Sequence, residues 1–280
     1  MTVKQAFNEL KALLGESQID NCEFEASILM QSILCCRRAD LALKGDMELD
    51  FETCELIRSR ASQRVLGYPL QYIIKEWSFW RYDFEVGEGV LIPRPETELL
   101  VEKALEFIPK DSELVVYDIC AGSGCIGLSI AKERPACFVY LFELYDDAFS
   151  YLQKNIKRLE LSNVEAVRCD VLNFAPNALP LADVMLSNPP YIETSELKLL
   201  QREVQFEPQT ALDGGSDGYS FYHTIAENWL PCLKAGGLLG LECGEMQPPY
   251  VASLCQGKGL TCETVKDCFD VERFVVGRRI

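Results

Sequence analysis

The chain has 280 residues, 48% hydrophobic and 25% charged, a globular composition with enough apolar content for one large or two smaller cores. Its formal net charge of −16, from 27 basic against 43 acidic side chains, argues against a protein whose affinity comes mainly from phosphate contacts, because nucleic-acid binding needs a basic face. No apolar run reaches the roughly 18 residues of a membrane span, the amphipathic N-terminus is unlike a signal peptide, and the 13 cysteines include no pair of CxxC units. A cytoplasmic chain with neither a disulfide framework nor a metal site is expected.

In chain order, residues 1 to about 66 alternate helix-like apolar periodicity with cap signals, Thr2 with Gln5 and Asp20 with Glu23, and three helices fit. The last starts near Asp50, carries Arg58, Arg60 and Arg64 on a face expected to be solvated, and stops at Gly67. The unit holds no catalytic constellation and reads as a packing or docking module. From Tyr68 the texture turns β-like. Tyr68 to Ile74, Trp77 to Trp80 and Tyr82 to Val86 read as hairpin strands with Gly87 and Gly89 in turns, a linker between two domains. The segment from Val90 to Glu98 then opens a helix through Phe107. Pro95, Glu96 and Glu98 suit its positive N-terminal end, whereas the cation of Arg94 there calls for an anionic partner.

Beyond residue 113, short β-rich runs alternate with helical ones, which predicts an α/β domain with a mostly parallel sheet. Seven strands are expected: Leu114 to Ile119, Phe138 to Glu143, Glu165 to Cys169, Asp183 to Ser187, Leu238 to Cys243, Thr261 to Asp267 and Arg273 to Val276. The last two follow each other with no helix between, so an antiparallel hairpin at one edge is expected.

The first of these strands runs into Gly122-Ser-Gly124-Cys-Ile-Gly127, a strand-to-helix turn where glycines let a cofactor approach the backbone. With Glu143 some twenty residues on, the pattern matches a dinucleotide-binding fingerprint. Asp118, just before the glycines, suits a cationic amino group such as that of S-adenosylmethionine, whereas it would repel a pyrophosphate. Glu143 can accept both ribose hydroxyl bonds of either cofactor. Asp170 is placed to accept from an adenine amine, with Val171 as an apolar wall, or simply to cap the next turn. These three acids end three successive strands, where ligands of open α/β sheets sit. The fourth strand ends in Ser187-Asn188-Pro189-Pro190-Tyr191. Its prolines fix φ and remove two N–H donors, leaving an acceptor-rich planar slot or an ordinary strand-ending turn.

At these residues the chain resembles the class I S-adenosylmethionine-dependent methyltransferases, and within them the release-factor glutamine methyltransferases, also called PrmC or HemK. The resemblance spans nearly the whole chain. It rests on Gly67 to Tyr72, Leu91 to Leu100, Asp118 to Gly127, Ser187 to Ile192, Ala211 to Gly218, Leu241 to Gln247 and Asp267 to Gly277. Glu143 stands where the family usually has Asp, and Ala121 where many members have Thr. The resemblance implies a helical substrate-docking domain over residues 1–67, a hairpin linker over 68–90, and a seven-stranded Rossmann-like methyltransferase domain over 91–280. It assigns cofactor contacts to Asp118, Ala121, Gly122, Ser123, Gly124, Cys125, Glu143, Asp170, Val171 and Asn188. Arg94, Glu96, Asn188, Pro189, Pro190 and Tyr191 fall to the substrate, and Phe84 joins Arg94 and Glu96 at the mouth. The implied acceptor is the Gln amide nitrogen of the Gly-Gly-Gln loop in class I peptide-chain release factors. A monomer is expected, with no direct nucleic-acid partner.

An amide nitrogen is a poor nucleophile, so orientation and transition-state charge must supply the rate. The Asn188 side-chain oxygen and the Pro189 carbonyl are expected to accept its two N–H groups, with Tyr191 stacked on the amide plane. The single His223 sits in a helical run with Phe221 and Tyr222 and reads as packing. The loop from Asp213 to Gly218 reads as a lid or a plain glycine turn, and its ligand spacing is wrong for calcium. The rivals are glutamine methylation of a ribosomal protein, methylation of a base exocyclic amine, which the acidic charge disfavours, a nicotinamide-dependent oxidoreductase, and a non-catalytic binding module.

Overall fold

A computed structural model describes residues 1–174 and 176–280, and the chain divides into two compact units. One comprises Met1–Glu76 with Gln201–Phe206, the other Trp77–Leu200 with Glu207–Ile280.

The first unit is helical: α1 (Val3–Glu16), α2 (Cys22–Leu34), the short α3 (Arg38–Leu43), α4 (Phe51–Val65) and α5 (Leu70–Ile74). Thr2 starts α1 through the predicted capping box with Gln5. Val3, Ala6, Leu10 and Leu14 recur at helical spacing on its buried face. The cap expected from Asp20 is absent; Asn21 begins α2 without a side-chain bond. Asp50 accepts from the Thr53 amide at 2.7 Å to start α4, and Gly67, at φ +87°, follows its end. The arginines of α4 are not uniformly solvated as expected. Arg64 is 3% exposed and donates to both Glu25 oxygens (2.5 and 3.0 Å) and to Glu203 (2.6 Å). Nor does Tyr68 to Ile74 form a strand. Pro69 fixes φ at −57° and precedes the one-turn α5, whose Leu70, Tyr72 and Ile73 are buried, and Lys75 ends it in the left-handed region.

Next in the chain come the hairpin β1 (Glu76–Phe79), which belongs to the second unit from Trp77 on, and β2 (Tyr82–Glu85), then a 3₁₀ turn (Pro95–Thr97) leading into α6 (Glu98–Phe107). Alternation follows: β3 (Val115–Ile119), α7 (Cys125–Glu133), β4 (Phe138–Glu143), α8 (Asp146–Arg158), β5 (Val164–Arg168) and β6 (Ala182–Ser187). The chain closes with α9 (Ser220–Thr224), β7 (Leu233–Glu242), α10 (Pro248–Gln256), β8 (Leu260–Lys266) and β9 (Glu272–Arg279). All seven expected strands form one sheet in the order β5-β4-β3-β6-β7-β9-β8. β3 to β7 run parallel, while β9 runs antiparallel between β7 and β8, so the edge hairpin has its second strand inward. Side chains alternate between the faces. Tyr117, Phe142 and Met185 pack with Trp229 and α10, whereas Val116, Leu141 and Leu186 pack with α6 and α7.

Strand order reverses at β3, which lies between β4 and β6, so the carboxyl ends of these strands open a crevice at a topological switch point. The Ser187 hydroxyl donates to the Ile119 carbonyl at 2.5 Å and ties β6 to β3 at that point. Among the described residues no helix is long and apolar enough to cross a membrane.

Candidate active site

One cleft lies at the switch point, lined by Arg94, Ala121, Gly122, Ser123, Cys125, Glu143, Asp170, Val171, Asn188 and Pro190 of the expected site residues. Leu91, Pro93, Thr97, Cys120, Phe142 and Tyr145 complete much of its wall. Asp118, Gly124, Pro189, Tyr191 and Glu96 are not among the lining residues, and Phe84 is fully buried in the core instead of at the mouth.

Asp118 lies beneath the glycine turn, fully buried. Its Oδ2 accepts from the Gly127 amide at 2.8 Å, and its Oδ1 is buried with no partner among the described residues. Burial pushes this carboxyl up to about 7; the Gly127 N–H opposes the shift and Glu143 adds to it. Gly127 is the close-packing glycine, since a Cβ there would sit 2.9 Å from Asp118 Oδ2 and 2.9 Å from Leu141. Gly122, at φ +56°, would meet nothing with an added Cβ, so the turn is open on that side. An orphaned carboxylate oxygen below an open glycine turn fits a cofactor that carries a cationic amine. Cys120, at φ +62°, takes a left-handed conformation that favours glycine. Its thiol and that of Cys125 are pushed up, first by burial and then by nearby carboxylates, so neither offers a thiolate nucleophile.

Glu143 anchors its own turn. One oxygen accepts from the amides of Leu144 (2.8 Å) and Tyr145 (2.9 Å), the other from Gly122 (2.9 Å). Burial raises its pKa and these three amides oppose the shift. Asp170 both lines the cleft and caps its turn, accepting from the Leu172 amide (3.0 Å) and the Asn173 side chain (2.7 Å). The Val171 carbonyl is held by the Trp229 indole at 3.1 Å.

The anion that Arg94 calls for is internal: Arg94 pairs with buried Glu207, whose other oxygen accepts from the Ile92 amide at 3.0 Å. In the 3₁₀ turn that follows Arg94, the Thr97 hydroxyl accepts from the Asn188 amide nitrogen at 3.3 Å and donates to buried Glu242 at 2.6 Å. Tyr191 packs toward the core, and burial pushes its phenol up to about 12. Its backbone is clasped from behind. Gln247 donates to the Tyr191 carbonyl at 3.0 Å, Ile192 bridges to Asp213, and a Cβ on Gly214 would lie 2.7 Å from Tyr191 Cα. The loop Asp213–Gly218 thus braces the Asn-Pro-Pro-Tyr segment at its back. Thr97, Glu207, Glu242 and Gln247 carried no role in the sequence reading, although Thr97, Glu242 and Gln247 lie inside segments that carry the family resemblance. His223 lies within 3.4 Å of the Tyr250 hydroxyl, away from the cleft lining.

Residues 5–74 match the family model of the PrmC N-terminal domain, and residues 96–215 match the methyltransferase small domain. The release factor glutamine methyltransferase of Geobacter sulfurreducens is 34% identical, covering 99% of this chain and 96% of its own. That of Aquifex aeolicus is 33% identical, covering 91% and 90%. A methyltransferase from Pyrococcus furiosus shares the fold, with TM-score 0.52 at 20% identity over 70% of this chain and 87% of that one. With relatives at this identity along nearly its whole length, the chain belongs to the release factor glutamine methyltransferase family.

Proposed function

We propose that this chain transfers a methyl group from S-adenosylmethionine to the side-chain amide nitrogen of the Gln in the Gly-Gly-Gln loop of peptide-chain release factors; its relatives are named release factor glutamine methyltransferases. The observation that carries this reading is the convergence of Asn188 and Pro190 with the glycine turn, Glu143 and Asp170 in one cleft. The cofactor supplies an electrophilic methyl group. Asp118, beneath the glycine turn, would hold its cationic amine, Glu143 its ribose hydroxyls, and Asp170 with Val171 its adenine.

The remaining work belongs to the Asn-Pro-Pro-Tyr segment. An amide nitrogen has its lone pair delocalised into the carbonyl. Accepting both of its N–H groups, at the Asn188 side-chain oxygen and the Pro189 carbonyl, turns that lone pair toward the methyl and offsets positive charge growing on nitrogen. The two prolines donate no backbone N–H, so nothing there competes with the acceptors. Tyr191, packed toward the core with its carbonyl held by Gln247, fixes the segment that carries these acceptors. Holding donor and acceptor in line contributes on the order of 7 kcal/mol or more. No general base is required before transfer, since the proton leaves a nitrogen already made acidic by methylation. Substrate is drawn in by the helical unit, which exposes Phe51, Leu66 and Leu43.

The test is incubation with a purified release factor and S-adenosylmethionine, followed by mass spectrometry of the Gly-Gly-Gln peptide, where one added methyl on Gln is expected. Asn188→Ala should abolish that methyl while cofactor still binds by calorimetry. A methyl found on a ribosomal protein or on adenine instead, with none on the release factor, would overturn the reading.

A further inference from the structure

We propose that Thr97 and Glu242 form a positioning relay that sets which end of the Asn188 amide faces the substrate; the proposal deepens the reading above and rests on Asn188 acting as an acceptor. Three chain segments far apart in sequence meet here: the 3₁₀ turn before α6, the end of β7 and the loop after β6. Thr97 is 2% exposed and Glu242 is 3% exposed.

The logic is a count of hydrogens. A threonine hydroxyl has one proton and two lone pairs. Thr97 gives its proton to Glu242 at 2.6 Å, so it presents only lone pairs to Asn188. The group that fits against lone pairs is the amide nitrogen, and Asn188 Nδ2 is the atom found there, at 3.3 Å. Turning Asn188 over would set two acceptors face to face. The Asn188 oxygen is therefore left for the acceptor role that methyl transfer to an amide requires.

A buried carboxylate is a costly way to hold a threonine rotor, and a packed apolar residue would serve stability better. What the carboxylate provides is polarity of direction, since it can only accept while charged. Around Glu242 stand Glu96 and Arg94 from the 3₁₀ turn and its approach, Arg273 of β9, Cys125 of α7, Tyr191, and Tyr222 with the adjoining Cys243. The backbone carbonyl of Glu242 is pinned by the Tyr222 hydroxyl at 2.8 Å. Burial first, then Glu96, pushes the Glu242 carboxyl up to about 7, against Thr97, Arg273 and Arg94. Once protonated, Glu242 donates to Thr97, the threonine proton turns toward Asn188, and the amide must flip its oxygen inward.

The experiment measures steady-state methyl transfer to a release factor for wild type, Thr97→Val, Thr97→Ser and Glu242→Gln between pH 5.5 and 8.5. Wild-type kcat should fall as pH drops through about 7. Thr97→Val should lose roughly 10- to 100-fold in kcat with the KM for S-adenosylmethionine within about twofold. Thr97→Ser should recover most of that loss, and Glu242→Gln should lose the acid limb of the profile. Equal losses for Val and Ser, or a Val effect confined to KM, would overturn the relay. An independent arm reads the Asn188 side-chain amide by ¹⁵N NMR in the substrate-free protein. Its resonances should move through about pH 7 in wild type and stay fixed in Glu242→Gln. That arm decides the relay even if no methyl reaches the release factor, an outcome that would instead refute the proposed activity.

Discussion

Replacing Asp118 with Asn should make the ligand-free protein more stable at alkaline pH and the cofactor-loaded protein less so. The carboxyl rises from an ordinary 3.8 to about 7, first by burial, with the Gly127 amide opposing. A group whose pKa is raised by folding contributes stability that is fully present below its unfolded pKa and lost as pH climbs through the folded one. The window here runs from about pH 4 to just above 7. Three pH units at 1.36 kcal/mol each give a ceiling of about 4 kcal/mol lost across it. Asn keeps the acceptor for Gly127 and carries no charge, but its new N–H lacks a partner in the free protein, at a cost of about 1–3 kcal/mol. The variant should thus gain about 1–3 kcal/mol over wild type at pH 8 and lose that advantage toward pH 5, with a pH profile shallower than wild type. It should also lose most of the thermal shift that S-adenosylmethionine gives, because a cationic amine no longer meets an anion. Urea unfolding at pH 5, 6, 7 and 8 would measure the first effect, and melting curves with and without cofactor the second. Parallel pH profiles for the two ligand-free proteins, or equal cofactor shifts, would refute the assignment of that buried oxygen.

Other expected outcomes follow from the same packing. Arg64→Ala strands Glu25 beside Glu203 and should cost about 3–5 kcal/mol, read by urea unfolding and by faster hydrogen exchange across α2 and α4. Gly127→Ala drives a methyl against Asp118 and Leu141 and should cost about 1–3 kcal/mol while weakening S-adenosylmethionine in calorimetry; unchanged affinity would show that the turn tolerates the push. Glu207→Gln leaves an acceptor for Ile92 but neutralises the partner of Arg94, a loss of about 1.5–3 kcal/mol by thermal melting.

Much of the catalytic sheet was legible because its signals are local. Each strand is a short apolar run bounded by turn residues, and the glycine turn, Glu143 and Asp170 sit at strand ends that alternation alone locates. The parts that were hidden depend on partners distant in sequence. Thr97 and Glu242 are 145 residues apart and the Arg94 pair 113 apart, so a threonine inside a helix start and a glutamate ending a strand look ordinary until the fold joins them. Tyr68 to Ile74 misled because Tyr and Ile favour strands, yet tertiary burial of Leu70, Tyr72 and Ile73 behind Pro69 decides for a helical turn. Arg64 shows the same limit, since a face rich in arginine reads as wet unless Glu25 and Glu203 are known to meet it.

The six residues Gln201–Phe206 bear on how this protein can be cut and recombined. They lie far along the chain yet complete the helical unit, where Glu203 meets Arg64 and the Phe206 ring stands edge-on to Tyr68 at 5.4 Å. A gene fragment ending at residue 76 would encode five helices lacking one of Arg64's two carboxylate partners and an aromatic neighbour of Tyr68. Helical domains of this kind are therefore not cassettes to be swapped at one junction. A working chimera must carry both pieces, and the short insert must co-vary with a helix more than a hundred residues upstream.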